Sequence, residues 1–231
     1  NRAIWLQFVN KKQSNENKDK ENFFFSPEPK WESVASWYPF QLGFILQNLN
    51  SVFNANHDDR ELVDLLWVRT GGGKTEAYLG LLSFIMFTNR LRKSKDLGCE
   101  IMMRYTLRLL TLQQFQRATR LIMACEYMRI VEDYSILQNC KKFTIGLYIG
   151  LDSSPNKVKH EKRINDYDKY KSLSKNQLTY NKHLLETAEY ALTRWKKEKV
   201  IPEKHNPFQI LDCPWCNQKL KPEDHIIEKV G

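Results

Sequence analysis

Residues 62–75, LVDLLWVRTGGGKT, restrict the chain more than any other stretch: an apolar run, three consecutive glycines, then Lys74 and Thr75 opening a helical pattern over 74–92. An apolar run of this length that ends at glycine reads as a buried parallel strand, Leu62 to Val68. Glycines in a strand-to-helix turn let backbone N–H groups close around phosphate oxygens, and the following helix adds its positive end. Lys74 is then placed to neutralise β and γ phosphates, and Thr75 to offer its hydroxyl to Mg²⁺. The candidate nucleotide site is therefore Thr70, Gly71, Gly72, Gly73, Lys74 and Thr75. The strict pattern G-x-x-x-x-G-K-[ST] requires glycine at position 68, where this chain has Val68.

The surrounding sequence repeats the same alternation. WYPFQLGFILQNLNSVF places Leu42, Ile45, Leu46 and Leu49 at helical spacing after Pro39, which predicts a buried helix. CEIMMRY, Cys99 to Tyr105, has strand length and precedes a helical pattern carrying Leu109, Leu112, Phe115, Ala118 and Ile122 on one side. Residues 142–150, KFTIGLYIG, predict a third strand, closed by Gly150 and the turn-like SSPN. Strand and helix in alternation spell an α/β fold with a doubly wound parallel sheet. Residues 11–22, KKQSNENKDKEN, hold no apolar side chain and read as a solvated tail or linker. Residues 157–204 hold 13 Lys or Arg against 7 Asp or Glu, 13 − 7 = +6 of a net +9 for the chain. Leu185, Ala188, Leu192 and Trp195 within that block predict a helix over 178–199 with one apolar face. This charge favours an anionic partner such as nucleic acid. No apolar run is long enough to span a bilayer and no secretory signal opens the chain, so neither a membrane protein nor a secreted one is expected.

With Thr70 to Thr75 placed, the chain resembles superfamily 2 helicases and translocases, whose phosphate loop commonly reads A-x-T-G-x-G-K-T. Tyr38-Pro-Phe-Gln41 lies about thirty residues upstream, where such proteins often carry an aromatic and a glutamine that reads the adenine edge; the resemblance makes Gln41 the adenine contact. The segment Arg104-Tyr-Thr-Leu-Arg-Leu-Leu-Thr-Leu-Gln113 is similar to the family's P-T-R-x-L-x-x-Q element, with Thr106 and Leu107 where the family has Pro-Thr. That match implies contact with a sugar-phosphate backbone by Arg104, Thr106, Arg108 and Gln113, and more weakly by Ser154 after the third predicted strand. Over residues 36–220 the chain looks most like the helicase subunit of the bacterial DISARM anti-phage system. The resemblance implies a RecA-like lobe over 31–156 after a polar tail at 1–30, ATP-driven action on DNA, a second DISARM subunit as partner, and phage defence.

Five cysteines, only Cys213 and Cys216 close together, disfavour a disulfide framework and suit the reducing cytoplasm. Cys213-Pro-Trp-Cys216 has the spacing of half a structural Zn²⁺ site, so 157–231 reads as a basic helical insertion leading into a zinc knuckle. A second cysteine pair past Gly231 is the expected complement, with His205 and His225 as alternatives; two unliganded thiols are the plain reading. Cys99, Cys125 and Cys140 sit among apolar residues and are expected in the core. Superfamily 2 catalysis also needs an Asp-Glu pair and arginines from a second lobe, and no Asp-Glu dipeptide occurs here. The chain by itself is therefore expected not to turn over ATP. A nucleic-acid-binding module without motor activity, and a phosphate-loop switch indifferent to DNA, stay open on the residues alone.

Overall fold

The structure, a computed structural model, describes residues 36–92, 98–106, 108–130, 137, 140–150, 153–155, 187–204, 206–215 and 217–227. The α-helices whose bounds lie among them are α1 Pro39–Phe53, α2 Lys74–Leu91, α3 Arg108–Ile130 and α4 Ala188–Glu198. Short 3₁₀ turns lie at Asp58–Glu61 and Pro222–Asp224. The described residues fall into two compact units, one within Asn1–Gly146 and Pro214–Asn217, the other within Leu147–Cys213 and Gln218–Gly231. No helix among them is long and apolar enough to cross a membrane.

In the first unit α1 begins at Pro39, a residue that tolerates the first turn because it has no N–H to leave unpaired. The Tyr38 N–H donates to Gln41 Oε1 at 2.9 Å, closing that end of the helix. Helix α2 carries Glu76 in its first turn and Arg90 in its last, the arrangement the helix dipole favours. Leu79, Leu82 and Met86 of α2 meet Ala118, Leu121, Ile122, Ala124, Cys125 and Met128 of α3 in the main core, with Phe143 against them. The Cys125 thiol is buried there and bonded to Ser83, and burial pushes its pKa up to about 12, so it is a packing group. Gly80 marks where α1 crosses α2: a Cβ there would lie 2.7 Å from Ile45 Cδ1 and 2.8 Å from the Trp37 ring. In the second unit α4 is capped by Thr187 and ends at Lys199 in the left-handed region, φ 58°. Its Ala191 and Trp195 pack on Phe208.

Three expectations are corrected. The described residues hold no strand and no sheet, and the isolated antiparallel bridge Asp212 to Lys219 forms none, so the predicted α/β RecA-like lobe with a parallel sheet is not seen among them. The first predicted strand fails because its side chains stay in water: Val63 is 95% exposed, Leu65 80% and Trp67 88%. A strand of a parallel sheet is covered on both faces. At the start of the third, and just ahead of it, side chains occupy backbone groups that a ladder would use. Arg90, itself only 9% exposed, donates to the Lys141 and Lys142 carbonyls at 3.0 and 3.3 Å and pairs with Glu100. Arg129 donates to the Cys140 carbonyl at 3.2 Å, and Glu126 accepts the Phe143 N–H at 3.0 Å. Burial by itself would raise the Glu126 carboxyl, but the Arg129 hydrogen bond, the Phe143 N–H and the charges of Arg129 and Lys142 hold it below its ordinary value. Second, α1 is not a buried helix: Leu42 and Leu46 are exposed, and its buried residue is Gln41. Third, Cys99 is exposed and Cys140 only half-buried.

Replacing Arg90 with Met keeps the stem's volume and removes its bonds to Glu100, Lys141 and Lys142. Stranding a nearly buried carboxylate costs about 3–5 kcal/mol, so denaturant unfolding should show a loss of that order; a loss under about 1 kcal/mol would mean that these bonds do not hold residues 140–143 in place.

Candidate nucleotide and nucleic-acid site

The glycine loop is built by its own backbone. Gly71 and Gly73 take φ of +79° and +88°, a region that side chains disfavour, and Gly73 is the N-cap of α2. Between them the Gly72 N–H donates to the Arg69 carbonyl at 3.1 Å, closing the turn. A Cβ on Gly72 would meet Val68 Cγ1 at 2.9 Å, and one on Gly73 would meet Gln41 Nε2 at 2.7 Å. Gly73 is thus required for space as well as for dihedral angle, Gly72 for space and Gly71 for dihedral angle. The Lys74 ammonium folds over the loop and donates to the carbonyls of Val68 and Arg69, the latter at 3.1 Å. Thr75 follows, half-buried in the first turn.

Gln41 is 3% exposed and its amide holds the loop. Nε2 donates to the Gly73 carbonyl at 2.8 Å while Oε1 accepts from Tyr38. One side chain therefore fixes both the start of α1 and the N-cap of α2. Each end of a primary amide retains capacity for one more hydrogen bond beyond these two. Tyr38, exposed and stacked at 6.1 Å on Phe40, stands beside Gly73.

Of the predicted nucleic-acid residues, Arg104 and Thr106 are exposed just ahead of α3, and Gln113 is exposed on it. Arg108 is the first residue of α3; its side chain, like Leu107, lies outside the described residues. Glu76, the residue after Thr75, forms an ion pair with Arg117 of α3, which ties the start of α2 to the helix carrying Gln113. Burial raises the Tyr105 phenol above its ordinary value, the nearby Arg117 charge works against that, and Tyr78 of α2 adds to it. Sequence reasoning missed this pair, although an acidic residue right after G-K-T is a visible signal. In the second unit Ser154 is half-buried, and the adjacent Ser153 carbonyl accepts from the Asn206 N–H at 3.0 Å and from Gln209 Nε2 at 3.1 Å.

Around the proposed knuckle, the Cys213 N–H donates to the Gln218 carbonyl and the Leu220 N–H to the Leu211 carbonyl, both at 2.8 Å. Asn217 adopts a positive φ of 58°. Within the first unit the Pro214 carbonyl accepts from Arg120 at 2.6 Å, and Trp215 stacks on Tyr127 at 5.7 Å. Cys216 and His205 lie outside the described residues, among which no three His, Cys, Asp or Glu side chains gather as a metal site. His225 stands between Trp195 and Phe208 at 5.2 and 4.9 Å, with Nε2 buried and lacking a hydrogen-bond partner among the described residues.

No family model matches the chain, and no solved structure matches it. Over 190 residues, 79% of its length, it is 37% identical to "DISARM protein DrmA" of Bacillus paralicheniformis. The chain spans 14% of that relative's length.

Burial pushes the His225 pKa below its ordinary 6.5, against the pull of Asp224. The unfolded chain then binds the proton more readily than the folded one. The stability from keeping this ring neutral is present above pH 6.5 and lost as pH falls from there toward the folded value. Unfolding midpoints measured between about pH 8 and pH 5 should fall on the acid side, and His225→Phe should flatten that fall; an equal slope in both proteins would place the acid sensitivity elsewhere.

Proposed function

We propose that this chain, a relative of the DISARM protein DrmA, is the ATP-binding part of an anti-phage protein that acts on DNA as a superfamily 2 helicase or translocase. The observation that carries the reading is the loop itself. Gly71 and Gly73 turn the backbone through conformations only glycine adopts easily, the loop caps α2, and Lys74 reaches back over it. A glycine turn, a helix N-terminus and an ammonium stand together in sequence, and backbone N–H groups, a helix N-terminus and a cation are the chemistry that binds a polyphosphate. Lys74 would neutralise the β and γ phosphates, Thr75 would hold Mg²⁺, and Gln41 would add adenine to the groups it already bonds. Thr70 and Gly72 complete the cradle.

Arg104, Thr106, Arg108 and Gln113 would contact a DNA backbone, with Ser154 as a further donor. Exposed guanidinium and hydroxyl groups suit phosphate oxygens, and the net charge of +9 supports an anionic partner. A second DISARM subunit is the protein partner proposed, and the cytoplasm the compartment. Cys213 and Cys216 would provide two thiolates to a structural Zn²⁺, with the remaining ligands outside the described residues. The Cys213 N–H and the Leu220 N–H, both bonded to carbonyls within the second unit, support an ordered backbone at the first of these thiols.

ATP hydrolysis by the full-length protein, with and without single-stranded DNA, tests the motor. DNA should raise the rate, and Lys74→Ala should lower kcat by about a hundredfold or more. A rate indifferent to DNA would favour a nucleotide switch, and no rate together with salt-sensitive DNA binding would favour a passive module. For the metal, the purified protein should retain Zn²⁺ by elemental analysis and lose it in Cys213→Ser; equal metal content in both would remove the knuckle.

A further inference from the structure

We propose that the Glu76–Arg117 ion pair is a positioning link through which nucleotide in the Thr70–Thr75 loop and nucleic acid on the Arg104–Gln113 segment bias one another. The inference rests on the functional reading above and deepens it. Glu76 directly follows Thr75 in the first turn of α2. A carboxylate at a helix N-terminus is favoured by the dipole, but next to a bound polyphosphate the same charge repels the ligand. Arg117 offsets that charge, so the repulsion on an anion in the loop is weaker while α3 keeps its guanidinium at the foot of α2. Any change in the charge balance at the loop changes the hold of Glu76 on Arg117. The effect reaches α3 because Arg117 is part of it.

Helix α3 carries that change to the nucleic-acid segment. Arg117 lies nine residues after Arg108, about 14 Å along one helix, with no proline or glycine between them to kink it. Tyr105, between Arg104 and Thr106, lies in the electrostatic field of both Arg117 and Tyr78. One guanidinium thus stands in the neighbourhood of the start of α2 and of the segment that precedes α3. The pair is not mainly a stabilising contact. The Arg117 and Glu76 side chains are 38% and 22% exposed, and ion pairs so placed contribute little to folding. Their charges are better understood as fixing how α2 and α3 are set against each other.

The test uses the full-length protein, with DNA affinity measured with and without a non-hydrolysable ATP analogue. Wild type should show a nucleotide-dependent change of roughly fivefold or more. Glu76→Gln and Arg117→Gln should each reduce that change to under about twofold while leaving the thermal midpoint, and DNA affinity without nucleotide, near wild type. The double variant Glu76→Arg with Arg117→Glu should restore part of it, because the pair is rebuilt with its signs exchanged. Single variants that keep the full nucleotide effect overturn this inference alone. Single variants with lowered midpoints and weakened DNA binding, unrescued by the exchange, assign the pair a structural role and overturn it as well. A wild-type protein whose DNA affinity ignores nucleotide overturns the functional reading, and this inference with it.

Discussion

One buried amide ties the glycine loop of the first unit to the helix ahead of it. Gln41 bonds the Tyr38 N–H at one end and the Gly73 carbonyl at the other, so the first turn of α1 and the N-cap of α2 cannot be set independently. A buried primary amide is costly when half-satisfied and strongly orienting when both ends are met. The consequence for Gly73 is direct: its left-handed conformation and its closeness to Gln41 Nε2 leave no room for a side chain. Gly80, one helical layer further on, fixes the same helix pair by close approach to Ile45 and Trp37. The last residue of the loop is thus also held from a helix some thirty residues upstream.

A second constraint is the disposal of backbone polar groups without a ladder. Residues 98–106 show the alternation of a strand, Ile101 and Met103 packing on the core while Met102 and Arg104 face water. Yet the carbonyls of Cys140, Lys141 and Lys142 are taken by Arg129 and Arg90, and the Phe143 N–H by Glu126. Guanidinium groups suit this work because one planar fork can serve several acceptors at once. Phe143 gains twice, edge-on to Phe87 at 5.1 Å and beneath the Arg90 guanidinium at 5.0 Å.

What was legible in the sequence follows from how local each signal is. The starts of α1 and α2 were readable from Pro39 and from the Gly73-Lys74 junction, since both are decided within a turn. The loop was readable for the same reason. The sheet was not, because LVDLLWV and KFTIGLYIG carry strand composition whether or not a partner lies alongside, and periodicity cannot report pairing. Nor could composition reveal that Leu42 and Leu46 face water while the polar Gln41 is buried, since that depends on Gly73 standing opposite. Arg90, Arg120 and Arg129 were counted toward net charge, whereas the fold spends them on carbonyls of Lys141, Pro214 and Cys140.

That distinction bears on how the positive charge of the chain is to be understood. A guanidinium committed to carbonyls and carboxylates inside the fold contributes little to attracting a polyanion, whereas Arg104, exposed ahead of α3, is available for it. Arg117 belongs to neither class: it is partly exposed, and its partner Glu76 lies one residue from the loop. If the loop holds a polyphosphate, a cation there acts on the bound anion and on Glu76 at once, and the balance between the two depends on separations of a few ångströms. Nucleotide and nucleic acid would then meet on the same helix pair, α2 and α3, whose packing is fixed by an apolar core and which the Glu76–Arg117 ion pair also joins.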